Sequence, residues 1–141
     1  MAGRRWLLKT EPSDYSFDDL SREKRAVWDG VANNLALMNL RLARKGDEVI
    51  VYHTGKEKAA VGLAAIESDP YPDPKKKDAK LVVVDIAPRR KLPKPVPLAT
   101  IKANAKFREF PLVKIPRLSF LPVSDKEWKE ILRLAGSPPP G

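Results

Sequence analysis

Hydrophobic residues along the 141-residue chain fall into short runs separated by turn-forming residues, a pattern typical of strands. These runs predict strands at residues 5–10, 48–54, 59–67, 80–86, 112–115 and 118–123, with an edge or loop segment at 88–97. The second and third runs are joined by a short turn and predict a hairpin. Gly62, inside the third run, indicates a bulge or a close backbone approach.

Helical signals stand between the runs. They predict a helical turn at 17–20, a mostly buried helix between Asn33 and a C-terminal cap at Gly46, a short helix at 98–104, and a C-terminal helix that ends at Gly136. The last helix is the best specified, because Ser124 and Glu127 form a capping box ahead of an apolar face. Strands interleaved with brief helices predict a single α+β domain with a curled sheet or small barrel. We place this domain at residues 1–136 and expect a flexible tail at 137–141.

Composition excludes several kinds of chemistry. The chain has no cysteine and one histidine, His53, which excludes disulfides, thiol nucleophiles and multi-histidine metal sites. No glycine-rich phosphate loop or nucleophile elbow occurs in the sequence. No apolar run approaches the length of a signal peptide or a membrane span. We therefore expect a soluble, cytoplasmic protein with no cofactor, metal or membrane partner, and we assume a monomer.

The positive charge of the chain is concentrated in one segment. Residues 75–108 hold eleven basic residues against Asp78 and Asp85, so this segment carries the whole net charge of +9. Such a cluster is typical of proteins that bind a polyanion, and nucleic acid is the first candidate. Solvated lysines that only keep the protein soluble are the alternative. The candidate phosphate contacts are Lys75, Lys76, Lys77, Arg89, Arg90 and Lys91.

Two short motifs contain candidate binding residues. Lys9-Thr10-Glu11-Pro12 places a cation, a hydroxyl and a carboxylate at the end of the first strand. Trp28-Asp29-Gly30 is followed by Asn33 and Asn34 at the start of a helix. Trp28 could be a core residue beside a turn, or it could stack on a base whose edge the amides address. From spacing alone, a capped strand end and a core tryptophan remain open alternatives.

These and other short motifs occur in a fixed order from about Trp6 to about Leu134. Further pieces are Tyr52-His53-Thr54 and Arg117-Leu118-Ser119. The ordered series resembles the EVE domain, a member of the PUA-like superfamily. That resemblance implies a PUA-like mixed β pseudo-barrel with surrounding short helices.

The resemblance also implies a non-enzymatic nucleic-acid-binding module, for DNA or RNA, that holds a modified base in an aromatic-walled pocket. The residues it suggests for that pocket are Lys9, Thr10, Trp28, Asn33, Tyr52, His53, Arg117 and Ser119. Trp28 would stack on the base, and Tyr52 or His53 would form the second wall. The chain departs from the family at Ala32, Leu35 and Leu37, where arginine and polar or basic residues are usual.

Two other functions remain as alternatives. A related PUA-like branch, the ASCH group, includes amidohydrolases that use a lysine, a threonine and a glutamate on acylated cytidine. Lys9, Thr10 and Glu11 have these residue types, but adjacent strand residues face opposite sides of a sheet, so the three should not share one wall. The third possibility is a pocket for a small molecule, with no nucleic acid involved.

Overall fold

In the computed structural model, which describes residues 4–78 and 80–137, the described residues form one mixed sheet flanked by short helices. The strands are β1 (Arg5–Thr10), β2 (Ala26–Trp28), β3 (Glu48–His53), β4 (Ala59–Ile66), β5 (Tyr71–Pro72), β6 (Val82–Pro97) and β7 (Phe120–Pro122). The helices are α1 (Phe17–Glu23), α2 (Asn34–Leu42), α3 (Leu98–Lys102), α4 (Pro111–Lys114) and α5 (Asp125–Leu134), with a 3-10 turn at Ala105–Phe107.

The strand order and the register shifts along β6 together explain why the sheet curls. It runs β2-β6-β4-β3-β1-β7, with β5 paired to β6 off this path. β1 and β3 are parallel, and the remaining pairs are antiparallel. The 16-residue β6 pairs with β2 along its first part and with β4 along most of its length, and register shifts interrupt the β4–β6 ladder. Such shifts bend strands, and the result is the curled half-barrel of the predicted PUA-like α+β fold.

The core lies on both sides of β4. All eight residues of β4 are buried, since α1 covers one face of the sheet and the interior of the half-barrel covers the other. Gly62 makes this packing possible: a Cβ atom at this position would lie 2.5 Å from the Phe17 ring. The ladder to β6 also shifts register beside Gly62, so both parts of the sequence interpretation are confirmed.

Capping boxes begin two helices, and the one predicted for the C-terminal helix is confirmed. Ser16 and Asp19 form a complete capping box at α1, and Ser124 and Glu127 form one at α5. Asn33 caps α2, as its position before the helix indicates. Among the described residues, no helix is long and apolar enough to cross a bilayer.

Several predicted elements are wrong in detail. The predicted segments 80–86 and 88–97 are not separate, because one strand, β6, runs from Val82 to Pro97; an irregular stretch between Lys91 and Val96 accommodates Pro93 and Pro95. Residues 112–115, predicted as a strand, lie mostly in helix α4, because Pro111 at its first turn fixes a helical φ. The short strand β2 has no counterpart in the prediction.

The prediction for α2 also needs correction. The helix is not mostly buried, because Leu35, Met38 and Leu42 are 37%, 52% and 44% exposed. It ends at Leu42 rather than at Gly46, since Ala43 already has an extended backbone and Gly46 lies in the following turn.

The end of the domain lies slightly beyond its predicted boundary. Ser137, which we assigned to the tail, is buried, and its N–H donates to the Leu132 carbonyl at 2.9 Å. The rest of the predicted tail, residues 138–141, lies outside the described residues.

Candidate functional site

A cavity of about 570 Å³ lies between the end of β1, the loop that leads to α1, and β2. Its aromatic and polar lining consists of Thr10, Tyr15, Trp28, Glu23, Arg25, Asp29 and Lys75, and Ala26 and Val27 complete it. We call it the Trp28 cavity. Its volume lies within the range of small-ligand sites.

Two aromatic rings stand together in the Trp28 cavity. Tyr15 and Trp28 have ring centroids 6.1 Å apart at an interplanar angle of 62°. β2 holds Trp28 opposite Val84 of β6, so one side of the indole packs on the core while the residue stays partly exposed. The Thr10 hydroxyl donates to the Tyr15 carbonyl at 2.6 Å and fixes the loop that carries the second ring.

Charged groups of both signs surround the rings. The Tyr15 hydroxyl donates to the Glu23 carboxylate at 2.6 Å, and burial together with Glu23 raises the pKa of Tyr15, which keeps the phenol neutral. Arg25 pairs with Asp85 at 2.7 Å. The hydrogen bond that Asp85 accepts from Tyr71 at 2.6 Å is the main reason that the pKa of Asp85 is lowered. Tyr71 and Asp85 thus position Arg25 from behind the cavity.

This arrangement suits a planar ligand with polar edges. Aromatic faces stack on nucleobases, and carboxylates such as those of Glu23 and Asp29 accept hydrogen bonds from exocyclic amino groups. Lys75 adds positive charge at the same cavity, where it would favour a phosphate, whereas the charge of Arg25 is balanced by Asp85. Among the described residues, no group of three histidine, cysteine, aspartate or glutamate side chains is placed to hold a metal ion.

Lys9 and Tyr52 line a different cavity. It has a volume of about 310 Å³, and it also contains Thr54, Gly55, Lys58 and Lys102 over an apolar part formed by Leu98, Leu112 and Pro116. We call it the Lys9 cavity. The β1–β3 register explains the separation, because Lys9 is paired with Tyr52 while Thr10 is paired with His53, and adjacent residues of a strand face opposite sides.

The other predicted pocket residues lie elsewhere, so the eight do not line one cavity. The Asn33 side chain accepts from the Ala36 N–H and caps α2. His53 is 8% exposed; its Nε2 accepts from the Phe17 N–H at 3.0 Å, and its Nδ1 lies 2.7 Å from the Glu57 carboxylate. Arg117 is exposed, and Ser119 contributes a carbonyl that accepts from the Lys9 N–H.

The predicted phosphate contacts also divide. Lys75 lines the Trp28 cavity, and Lys76 and Lys77 follow it as exposed side chains. On β6, Arg89 and Lys91 lie 3.5 Å from Glu67 and 3.6 Å from Asp18, and Arg90 between them is exposed.

Sequence reasoning missed four polar or aromatic residues of the Trp28 cavity: Tyr15, Glu23, Arg25 and Asp29. Asp29 stands inside the Trp28-Asp29-Gly30 motif and could have been found there, and Tyr15 follows the Lys9-Thr10-Glu11-Pro12 motif by three residues. Arg25 and Glu23 enter the cavity through β2 and the end of α1, which no local signal predicts.

The chain is similar to proteins of known sequence and structure. The EVE domain profile matches residues 4–134. Thymocyte nuclear protein 1 of mouse is 29% identical over 95% of this chain and 74% of its own length. A protein from Rhodopseudomonas palustris, solved by NMR, is 37% identical with a TM-score of 0.90, over 94% of this chain and 93% of its own.

A further solved structure contains a ligand. It is human THYN1 protein in complex with 5-methylcytosine-containing DNA, 28% identical, with a TM-score of 0.87 over 96% of this chain and 99% of its own. An ASCH protein from Zymomonas mobilis has a TM-score of 0.60 at 11% identity and shows a likeness of fold alone. The chain belongs to the EVE domain family.

Proposed function

We propose that this protein binds nucleic acid and reads a modified base, of the methylated cytosine type, that is held in the Trp28 cavity. The observation that carries the proposal is the Tyr15–Trp28 pair, which offers aromatic surface beside the carboxylates of Glu23 and Asp29. The complex of human THYN1 with 5-methylcytosine-containing DNA supports the choice of ligand. A base inside a duplex must leave the stack to enter such a cavity.

We further propose that binding is not followed by a reaction. The amidohydrolase alternative would need Lys9, Thr10 and Glu11 at one place. Thr10 lies in the Trp28 cavity, apart from Lys9 in the Lys9 cavity and from the Glu11 carboxylate, which lies beside Gly55 at the edge of the Lys9 cavity. Incubation of the protein with an acylated cytidine tests this part: we expect the nucleoside to be recovered intact, and release of cytidine would contradict it.

The reader function predicts a specific effect of Trp28→Ala. Loss of the indole should weaken binding of an oligonucleotide with one 5-methylcytosine by roughly fivefold or more, because base–aromatic stacking contributes about 1–3 kcal/mol per base. Binding of the unmodified oligonucleotide should change less, since charge supplies most of it. Fluorescence anisotropy titrations of both oligonucleotides measure the ratio of the two affinities.

Two variants serve as controls. Trp28→Phe keeps an aromatic face and should retain part of the preference, whereas Met38→Ala changes an exposed side chain on α2 and should retain all of it. Circular dichroism establishes that each variant is folded. Equal preference for the methylated strand in wild type and folded Trp28→Ala would remove the Trp28 cavity from the proposal.

A further inference from the structure

The Lys9 cavity has three lysines in its lining and one carboxylate at its edge, that of Glu11 beside Gly55. Lys9, Lys58 and Lys102 all line it, and no aspartate or glutamate among the described residues does. None of the three lysines forms an ion pair with a carboxylate in residues 4–78 or 80–137, whereas Lys91 and Lys106 on the same chain do. The cavity is therefore selective for an anion.

Donors in the Lys9 cavity are free to meet that anion. The Lys9 ammonium donates one hydrogen bond, to the Pro116 carbonyl at 2.5 Å, which leaves two of its three N–H groups available. Tyr52 lines the cavity, and its hydroxyl has no hydrogen-bond partner among the described residues, so it can donate to a ligand there. Burial raises the pKa of Tyr52, so the hydroxyl remains a donor.

The presence of lysine instead of arginine in the Lys9 cavity indicates which kind of anion it binds. A carboxylate is best matched by the planar fork of arginine, but the lining of this cavity contains three lysines and no arginine within the described part of the chain. Lysines act as point charges that bind phosphate, and a phosphomonoester carries close to two negative charges at neutral pH. The volume of about 310 Å³ and the apolar side chains of Leu98 and Leu112 leave room for an organic group beyond the phosphate.

We propose that the Lys9 cavity is a phosphomonoester site, which takes the phosphate of a nucleotide between Lys9, Lys58 and Lys102. The nucleotide is either free or the 5′-phosphorylated end of a strand. This site faces the side of the sheet opposite the Trp28 cavity, so it does not depend on base recognition there.

The test compares cytidine 5′-monophosphate with cytidine on the full chain, by calorimetry and by NMR shifts of backbone amides. We expect the monophosphate to bind at least about tenfold more tightly, because charge-assisted hydrogen bonds are the strong ones. The shifts should involve Tyr52 and Thr54. Equal binding of the two compounds, or shifts confined to the Trp28 cavity, would overturn the proposal.

Matched variants locate the site. Lys58 and Lys102 are exposed, so Lys58→Met with Lys102→Met should fold while the affinity for the monophosphate falls about tenfold or more. Lys75→Met removes one positive charge from the Trp28 cavity and should leave that affinity within about twofold, since Lys75 does not line the Lys9 cavity. Unchanged affinity in the double variant contradicts the proposal.

Two further comparisons are needed. One distinguishes a strand end from a free nucleotide as the ligand, and the other distinguishes the phosphate site from base reading in the Trp28 cavity. If a 5′-phosphorylated oligonucleotide binds better than its 5′-hydroxyl form, and the difference requires Lys58 and Lys102, the ligand is the strand end. If only the free nucleotide binds in a way that requires these lysines, the ligand is the free nucleotide. Trp28→Ala should retain monophosphate binding, so failure of base reading leaves this site intact.

Discussion

Glu130 is a carboxylate that the protein holds almost completely buried. Its side chain is 4% exposed on α5, and it accepts hydrogen bonds from Arg133 at 2.7 and 2.8 Å and from Asn104 at 2.7 Å, with Lys106 at 3.4 Å. These partners, Arg133 above all, lower the pKa of Glu130 to about 2. The ionised form of this residue therefore stabilises the contact between α5 and the 3-10 turn at Ala105–Phe107.

Glu130→Gln should lower the free energy of unfolding at pH 7 by about 1–3 kcal/mol, because hydrogen bonds to an ionised carboxylate are replaced by weaker ones. The folded pKa lies below the unfolded value of about 4.5, so the stabilisation is present above that pH and is lost as pH falls toward about 2. Urea unfolding at pH 7 and pH 3 measures the difference between wild type and variant, which should shrink at pH 3.

Glu109→Gln is the matched control for this prediction. Glu109 also pairs with a lysine, Lys114, at 2.8 Å, but its side chain is 74% exposed. Its loss should change stability by less than about 1 kcal/mol, as for other surface ion pairs. A Glu130→Gln difference that stays constant between pH 7 and pH 3 would contradict the assigned role.

At the scale of elements, α1 can pack closely on β4 because Gly62 has no side chain. Gly62→Ala would place a Cβ atom 2.5 Å from the Phe17 ring, closer than non-bonded atoms tolerate. We expect destabilisation of about 1–3 kcal/mol, the usual effect of overpacking a core. Denaturant unfolding measures it. Phe17→Leu added to Gly62→Ala should recover part of the loss, and a Gly62→Ala protein as stable as wild type would show that α1 can move away.

Elements with their own local signals were predictable, and elements formed by distant partners were not. α5 carries a capping box, and β1, β3 and β4 carry long apolar runs, so their bounds follow closely from the sequence. α1 begins at Phe17 as predicted but extends to Glu23 instead of residue 20. β2 is a three-residue strand that exists because β6 offers an edge, pairing Trp28 with Val84. The run at 112–115 is too short to show a period, and Pro111 decides for a helix.

At the scale of the whole molecule, the register between β1 and β3 divides the predicted site. The alternation of Lys9 and Thr10 was predictable, but their partners Tyr52 and His53 follow only from the parallel pairing of two strands far apart in the chain. Arg25 reaches the Trp28 cavity for a similar reason, since it precedes β2 and is held by Asp85 of β6. The resemblance suggested Trp28 and Thr10, which line one cavity, and the pairing of the strands determines which other residues line it with them.

The predicted phosphate contacts of segment 75–108 fall into two groups in the folded molecule, one at the Trp28 cavity and one on β6. This grouping predicts which of them contact phosphates. Lys75 lines the Trp28 cavity and Lys76 and Lys77 follow it, whereas Arg89 and Lys91 already face Glu67 and Asp18. Replacing the three lysines by glutamine should weaken binding of methylated and plain oligonucleotides equally. Each lost phosphate contact reduces the steepness of the plot of log affinity against log salt concentration by about 0.9. The slope of the triple variant should therefore be shallower by close to three.

The paired residues provide the comparison. Arg89→Gln with Lys91→Gln should reduce that slope by less than about one, because these side chains release few counterions when they already have acidic partners. Anisotropy titrations between about 50 and 200 mM salt give both slopes, a range over which phosphate contacts dominate affinity. A larger change in the β6 variant than in the lysine variant would place the strand across β6, away from the Trp28 cavity, and base reading at that cavity would then require the strand to bend toward it.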